Sequence, residues 1–397
     1  MPVYVQGTEF KPDRINLPQS ASDPAGSHEL GDIYFNTTDK ELKVYRNVES
    51  VGMGFTTMYG ASAGQEWELN TGIAYQGGLI RKISPTTYQC WYYPQSRKGQ
   101  SVTYSMSNLT DSFQIVGQTN MTIAVIGGGG GGIGENASAG SGGGGVIINS
   151  FTPTEGETFN FTVGKGGRGG WHSSGTQFSG CPGVGENGQD TTLSGTGFQV
   201  TAGGGPANNH VNQTDYSSIN QASCSVNSNS RGLSITTGSD GRGGSRGIAG
   251  QNGSNGTAGG GGGNNYGNAQ TDDSGGTGSG NFSGGGGAGN GYDHTWTTSL
   301  RPGGAGALYG FDGGYGGSAQ TNDFGQSGRC PADFSGTYPN FHEGGGRAYQ
   351  QADWGTLARG SSGGGGFPGG GGGSSYYQPY GIGSDGASGA VVFHWTL

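Results

Sequence analysis

Tyr292, His294 and Trp296 stand at alternate positions of GYDHTWTTSLRP, Trp354 lies in AYQQADWG, and Tyr376, Tyr377 and Tyr380 crowd into SSYYQPYG. Rings offer large contact areas with few rotors, and neighbouring hydroxyls, amides and imidazoles adapt their hydrogen bonds. The chemistry these stretches suit is therefore recognition, including stacking on the apolar faces of sugars. Other segments of the same kind are WHSSGTQFSGCP, NNHVNQTDYSSINQASCSVNSNSRG and TYPNFHEGGGRAYQQADWG. The competing reading is that such rings only cover the flanks of a packed core.

Residues suited to covalent or metal chemistry are not gathered. His28, His172, His210, His294, His342 and His394 form no HxxxH pair, and nothing in their spacing favours a Ser/His/Asp set. Cys90, Cys181, Cys224 and Cys330 contain no CxxC, which argues against zinc and against a dense disulfide framework. Free buried thiols and a Cys181–Cys330 bridge both remain open. GGTGSGNFS at 275–283 approaches a calcium nonapeptide, but Gly280 occupies the aspartate position. Asp272 and Asp273 read as solvated loop carboxylates. In so glycine-rich a chain GxGxxG arises by chance, and GxxxxGK[ST] does not occur. The expectation is a protein that is not an enzyme, with no cofactor and no metal. Triplets such as the one beginning at Asn108 match glycosylation acceptors. The absence of a signal peptide favours reading them as unmodified.

Composition narrows the class further. A net charge of −9 with pI near 5.1 disfavours nucleic acid, whose phosphates need clustered Lys and Arg. No stretch reaches the roughly 18–20 apolar residues of a membrane span. MPVYVQGTEFKPDR lacks the basic and apolar regions of a signal peptide, so synthesis in a cytoplasm without export by that route is expected.

The elements that must hold the recognition segments are unusual. Glycine supplies 94 of 397 residues, against about 7% in ordinary proteins. Up to about residue 120 the chain reads as short strands. A hairpin is expected in GDIYFNTTDKELKVYRN, where Ile33 and Phe35 are answered by Leu42 and Val44 across NTTDK. Further short β segments are expected from IAYQGGLIRKI through YQCWYYPQ to QSVTYSMSNL and DSFQIVG. This divides the chain into an attachment segment at 1–50, a small β domain at 51–120 and a glycine-rich domain at 121–397. In the last, MTIAVI, GVIINSF, ETFNFTVG, GFQVTAG and AVVFHWTL bracket glycine blocks. Phe159, Phe161 and Val163 alternate with polar residues, and Val391, Phe393 and Trp395 alternate with Val392, His394 and Thr396; both read as half-buried strands. The first of these two lies near the start of the region and the second ends the chain, so the two are expected to pair into a sheet whose connections hold the glycine blocks.

From 238 to 262 every third residue is glycine, with no proline between. Three residues per turn is the repeat of the polyproline II type of helix, and the missing proline argues against collagen. Extended helices side by side satisfy their backbone groups laterally, provided no Cβ separates them. A helix enclosed on all sides must be glycine throughout, which suits GGGGGG at 127–132, GGGG at 142–145 and GGGGG at 259–263. An outer helix needs glycine only on its inward face, which suits GSDGRGGSRGIAGQN and GSSGGGGFPGGGG. The expected fold is mainly β with almost no α-helix: a β-sheet base carrying a bundle of polyglycine II helices. The recognition segments would emerge at the bundle ends.

An apolar strand running into a glycine run, then GVIINSF, TFNFTVGKGGRGG, further glycine blocks and a closing GASGAVVFHW resemble the glycine-rich domains of phage tail-fibre proteins and the distal receptor-binding adhesins of T-even-like phages. GDIYFNTTDKELKVYRN is similar to N-terminal segments of marine phage fibres. The β-rich first 120 residues do not resemble the T-even adhesin's attachment domain. A similar glycine-rich layout occurs in an animal receptor-kinase ectodomain. The resemblance implies a virion protein that binds a host receptor, glycan or outer-membrane protein, and joins other tail-fibre or baseplate proteins, with a homotrimer among the possible assemblies. The alternatives are a structural fibre or collar component and a cellular appendage protein.

Overall fold

The computed structural model describes the strands at 3–5, 8–10, 19–20, 33–36, 41–48, 52–59, 68–69 and 79–82. Beyond these it describes residues 83–84, 86–94, 109–114, 119–133, 139–154, 157–170, 185–207, 221–239, 241–244, 250–253, 258–262, 274–289, 303–313, 362–374 and 383–396. Among them there is no α-helix. The chain divides into two compact units, 1–68 with 81–83, and 69–80 with 84–397. In the first, β1 (Val3–Val5) pairs with β2 (Thr8–Phe10), while β3 (Gln19–Ser20), β4 (Ile33–Asn36), β5 (Glu41–Val48) and β6 (Gly52–Tyr59) form a sheet in that order. The expected hairpin is β4–β5, with Ile33 opposite Val44 and Phe35 opposite Leu42.

After the short β7 (Glu68–Leu69) and β8 (Leu79–Lys82), the second unit is built on two antiparallel sheets. One has the order β10-β13-β14-β15-β16, from Leu109–Gln114, Thr158–Val163, Thr191–Gly195, Phe198–Ala202 and Ser225–Asn229. In the other, β17 (Ile235–Gly238), β12 (Gly145–Phe151), β11 (Thr119–Ile126), β18 (Ala390–Thr396) and β9 (Thr87–Tyr92) run side by side. The strand that ends the region pairs with β11 and β9 and not, as expected, with the strand of Phe159 and Phe161. β13 lies in the other sheet, and its Phe159 and Phe161 meet Phe393 between the two, at ring centroids of 5.7 and 5.9 Å. Gly145, expected in an enclosed run, is the first residue of β12 and pairs with Ile126 and Gly238.

Alternation sorts the side chains as the sequence suggests. Phe159, Phe161 and Val163 are buried while Asn160 is exposed, and Ile123, Val125, Val146, Ile148, Cys90, Tyr92, Val391 and Phe393 join Leu193, Phe198 and Val200 in one core. β18 departs from the half-buried expectation. Its second face is covered too, and Val392 is fully buried. The cover comes from glycine-rich segments: Phe367 packs on Trp91 and Tyr93, and Phe282 on Trp91 and His394. Pattern alone reads Thr396 and His394 as a solvent face because the covering rings are remote in sequence.

The glycine runs extend directly from the strands and bond sideways. In residues 127–132 the N–H groups of Gly127 and Gly130 donate to Gly144 and Ser141, those of Gly128 and Gly131 to Gln189 and Glu186, and those of Gly129 and Gly132 to Ala387 and Ser384. Every third residue therefore faces the same neighbour. The carbonyls of Gly128, Gly129, Gly130 and Gly132 accept from Gly205, Gly167, Gly372 and Gly170. One run is thus enclosed by six segments, three accepting from it and three donating to it. Residues 259–262 are enclosed in the same way, donating to Gly143, Gly284, Gln251 and Gly140 and accepting from Gly241, Gly276, Gly371 and Gly244.

Glycine is required here by close approach rather than by φ: positive φ at described glycines occurs only at Gly197, Gly232, Gly280 and Gly369. A Cβ on Gly129 would stand closer than 3.0 Å to the carbonyls of both Gly370 and Gly369. Outer segments show the complementary pattern. In residues 164–170, bonded to 127–132, 185–190 and 383–389, Lys165 and Arg168 are partly exposed three residues apart while the glycines are buried. The period at 238–262 runs through three successive segments: Gly241 and Gly244 donate to Gly259 and Gly262, Gly250 and Gly253 to Ser274 and Thr277, and Gly259 and Gly262 to Gly143 and Gly140.

Residues 362–374 correct the expectation of an outer helix. A turn at Phe367–Gly369 folds them into two segments. The second is buried throughout, donating to Ser388, Gly260, Gly130 and Gly363 and accepting from Gly143, Gly140, Gly287 and Ala387. The apparent threefold spacing runs across the turn and belongs to no single segment. Side-chain oxygens take the place of carbonyls at some described backbone N–H groups: Asp190 accepts from Gly204 at 2.8 Å, Asn187 from Ala207 at 2.9 Å and Thr191 from Gly164 at 3.0 Å.

Candidate functional site

The register of the lateral bonds defines two levels in the array. At the near level Gly127 donates to Gly144, Gly144 to Gly203, Gly369 to Ser388 and Gly389 to Gly164; several of these residues directly adjoin β11, β12, β13, β15 and β18. At the far level Gly132 donates to Ser384, Gly383 to Gly170, Ser384 to Gly373, Gly373 to Gly363, Gly363 to Ala288, Gly140 to Gly372, Gly262 to Gly140 and Ala139 to Gly244. Residues 303–307 run toward the near level and 311–313 away from it, because Ala307 donates to Ser283 and Phe311 to Phe367, while Gly313 donates to Gly304.

The connections can be sorted by where their ends lie. Those at 134–138, 171–184, 245–249, 263–273, 290–302, 314–361 and 375–382 begin and end on the far side, and 208–220 begins there. The connection at 254–257 is not of this kind, because Gly259 donates to Gly143 at the near level. The far ends form a common base for seven connections, remote from the strands.

Tyr292, His294 and Trp296 belong to 290–302, Trp354 to 314–361, and Tyr376, Tyr377 and Tyr380 to 375–382; all seven lie outside the described residues, as do Asp272, Asp273, Cys181 and Cys330. What the array establishes is where their connections are rooted. Their sequence separation of up to 88 positions reduces to adjacent segments, since Gly287 donates to Gly371 and Gly373 to Gly363. Of the described cysteines, Cys90 is buried and Cys224 is half-buried with Sγ 3.4 Å from the Gly238 carbonyl. Among the described residues no group of three or more His, Cys, Asp or Glu could hold a metal ion, and no helix is long and apolar enough to cross a membrane.

Two polar groupings have no sequence signature. On the covered face of β18, Trp91 Nε1 donates to Gln89 Oε1 at 3.0 Å, which turns the Gln89 amide so that its Nε2 donates to His394 Nδ1 at 3.2 Å. Nδ1 is then the unprotonated nitrogen. Burial also holds the His394 pKa below the ordinary 6.5. The imidazole lies against Tyr309 and Phe282, with centroids at 6.3 and 6.2 Å. This site locks sheet to array. The second grouping lies at the far level: Ser362 Oγ donates to the Gly373 carbonyl at 2.9 Å, Ser384 Oγ donates to the Ser362 carbonyl at 2.6 Å, and Asp385 Oδ1 accepts from Gly169 N at 2.7 Å, all three side chains being buried.

No protein-family model matches the chain, and no curated protein matches it.

Proposed function

We propose that the protein is a phage tail-fibre tip adhesin, carried on the virion, that binds a host cell-surface receptor through aromatic and polar connections held on a polyglycine II bundle. The observation that carries this reading is the shared base: seven connections, including those of Trp296, Trp354 and Tyr376, are rooted at one end of the array. An array bonded backbone to backbone holds such roots at fixed spacings whatever side chains the connections carry. That is the arrangement a recognition surface needs, because pre-ordered loops pay less entropy on binding. The three-residue repeat of lateral bonds supports the polyglycine II assignment, which expects three residues per turn and no bonds within a helix. Tyr292, His294, Trp296, Trp354, Tyr376, Tyr377 and Tyr380 are the proposed contacts.

The test is adsorption of purified protein to host cells. Trp296→Ala, and Tyr376→Ala with Tyr377→Ala, are expected to weaken it by about 2 kcal/mol or more, as at other aromatic hot spots. The far-ultraviolet spectrum and unfolding transition should not change. Unchanged adsorption across these variants would reject the reading in favour of a structural fibre component.

A further inference from the structure

At the far level of the array, buried side chains join the backbone in bonding neighbouring segments to one another. Three connection roots meet there. Gly170 precedes 171–184, Ser362 follows 314–361, and Ser374 and Gly383 flank 375–382. Backbone bonds already link them: Gly383 donates to Gly170, Ser384 to Gly373, and Gly373 to Gly363.

Buried side chains supply the rest. Ser384 Oγ donates to the Ser362 carbonyl and lies 2.9 Å from Ser362 Oγ, which donates to the Gly373 carbonyl. Asp385 reaches the other way. Its Oδ1 accepts from Gly169 N, while its own carbonyl accepts from Gly365 N at 3.0 Å. Asp385 is 5% exposed, and Ser362 and Ser384 are fully buried. A carboxylate is costly to bury without strong donors, and a charge-assisted bond from a backbone N–H is one of the stronger ties available.

We propose that Ser362, Ser384 and Asp385 form a positioning knot that fixes the spacing of the 171–184, 314–361 and 375–382 connections, and so of the receptor-binding face. This rests on the adhesin reading for its functional consequence, but the geometry stands apart from it. Glycine at these positions would keep the backbone bonds and remove the side-chain ties, so the roots would be held less firmly. Sequential removal of the ties should therefore act locally.

The experiment compares Ser384→Ala, Asp385→Ala and Asp385→Asn in the full-length protein by site-resolved hydrogen exchange, thermal unfolding and adsorption to host cells. Ser384→Ala and Asp385→Ala are expected to speed exchange at Gly169, Gly170, Gly373 and Gly383 by about tenfold or more, the equivalent of one lost hydrogen bond. Gly128–Gly130 and β11 should keep their protection, and adsorption should fall at least several-fold. Asp385→Asn retains an acceptor oxygen for Gly169 and should preserve both. Faster exchange with unchanged adsorption would overturn the positioning role. So would unchanged exchange at all four amides, or loss of the whole unfolding transition in the Asn variant as well. A wild-type protein that adsorbs to no cell would count against the adhesin reading alone, since the exchange pattern tests the knot without it.

Discussion

Replacing Gly129 by alanine adds one methyl group at the centre of the array. Its Cβ would fall closer than 3.0 Å to the Gly370 and Gly369 carbonyls, which are backbone atoms that cannot rotate away. Ordinary clearance requires the 127–132 run to shift on the order of 1 Å. Gly129 N donates to Ala387 O at 2.8 Å and Gly129 O accepts from Gly167 N at 2.8 Å, and such a shift takes these beyond useful length. Overpacking costs about 1–3 kcal/mol, and each buried backbone group left unpaired about 1–3 kcal/mol more. The expected loss is about 3–9 kcal/mol, a large fraction of the roughly 5–15 kcal/mol that stabilises a folded domain. Arg168→Ala is the matched control. Arg168 is partly exposed on an outer segment, and its partner Glu186 lies 3.6 Å away with 38% of its side chain exposed, so its removal should cost at most about 1 kcal/mol. Urea unfolding followed through the emission of buried Trp91 measures both. A Gly129→Ala loss below about 1 kcal/mol, or one matched by Arg168→Ala, would refute the close-approach argument.

Arg231→Met should cost about 3–5 kcal/mol, because it strips the buried Glu157 carboxylate of the guanidinium that bonds it at 2.5 Å; thermal unfolding checks this, and a loss under about 1 kcal/mol contradicts it. His394 has a folded-state pKa below 6.5, so the unfolded chain takes up its proton first: the imidazole's contribution is complete above pH 6.5 and is lost as pH falls below it. His394→Gln should flatten that part of the stability profile, and an identical profile in the variant would refute the assignment. Cys90, 3% exposed in the core, should resist thiol reagents until the protein unfolds; modification at the rate of a free thiol in native protein would show the sandwich to be open.

Much of the architecture was legible because its causes are local. The alternation at Phe159, Phe161 and Val163, the hairpin of Ile33 and Leu42, and the runs at 127–132 and 259–262 each state their own environment, since a segment with no side chains can be enclosed and one with Lys165 and Arg168 at every third position cannot. What the sequence by itself determined was that backbones approach too closely for a Cβ, with the runs at 127–132 and 259–262 among the enclosed segments. Only the tertiary structure decided which segments are neighbours. Gly129 donates to Ala387, 258 positions away, and any glycine run could have offered the same carbonyl. The same degeneracy hid the enclosure of 369–374 behind a turn, the joining of β9 to β18, and the cover that Phe282 and Phe367 give to Trp91. It also hid the knot of Ser362, Ser384 and Asp385, because a serine between glycines reads alike at a solvent margin and in a buried segment. Glycine specifies the distance between chains but carries no side chain to specify the partner, so partner choice falls to the strands and aromatic contacts that bring the runs together.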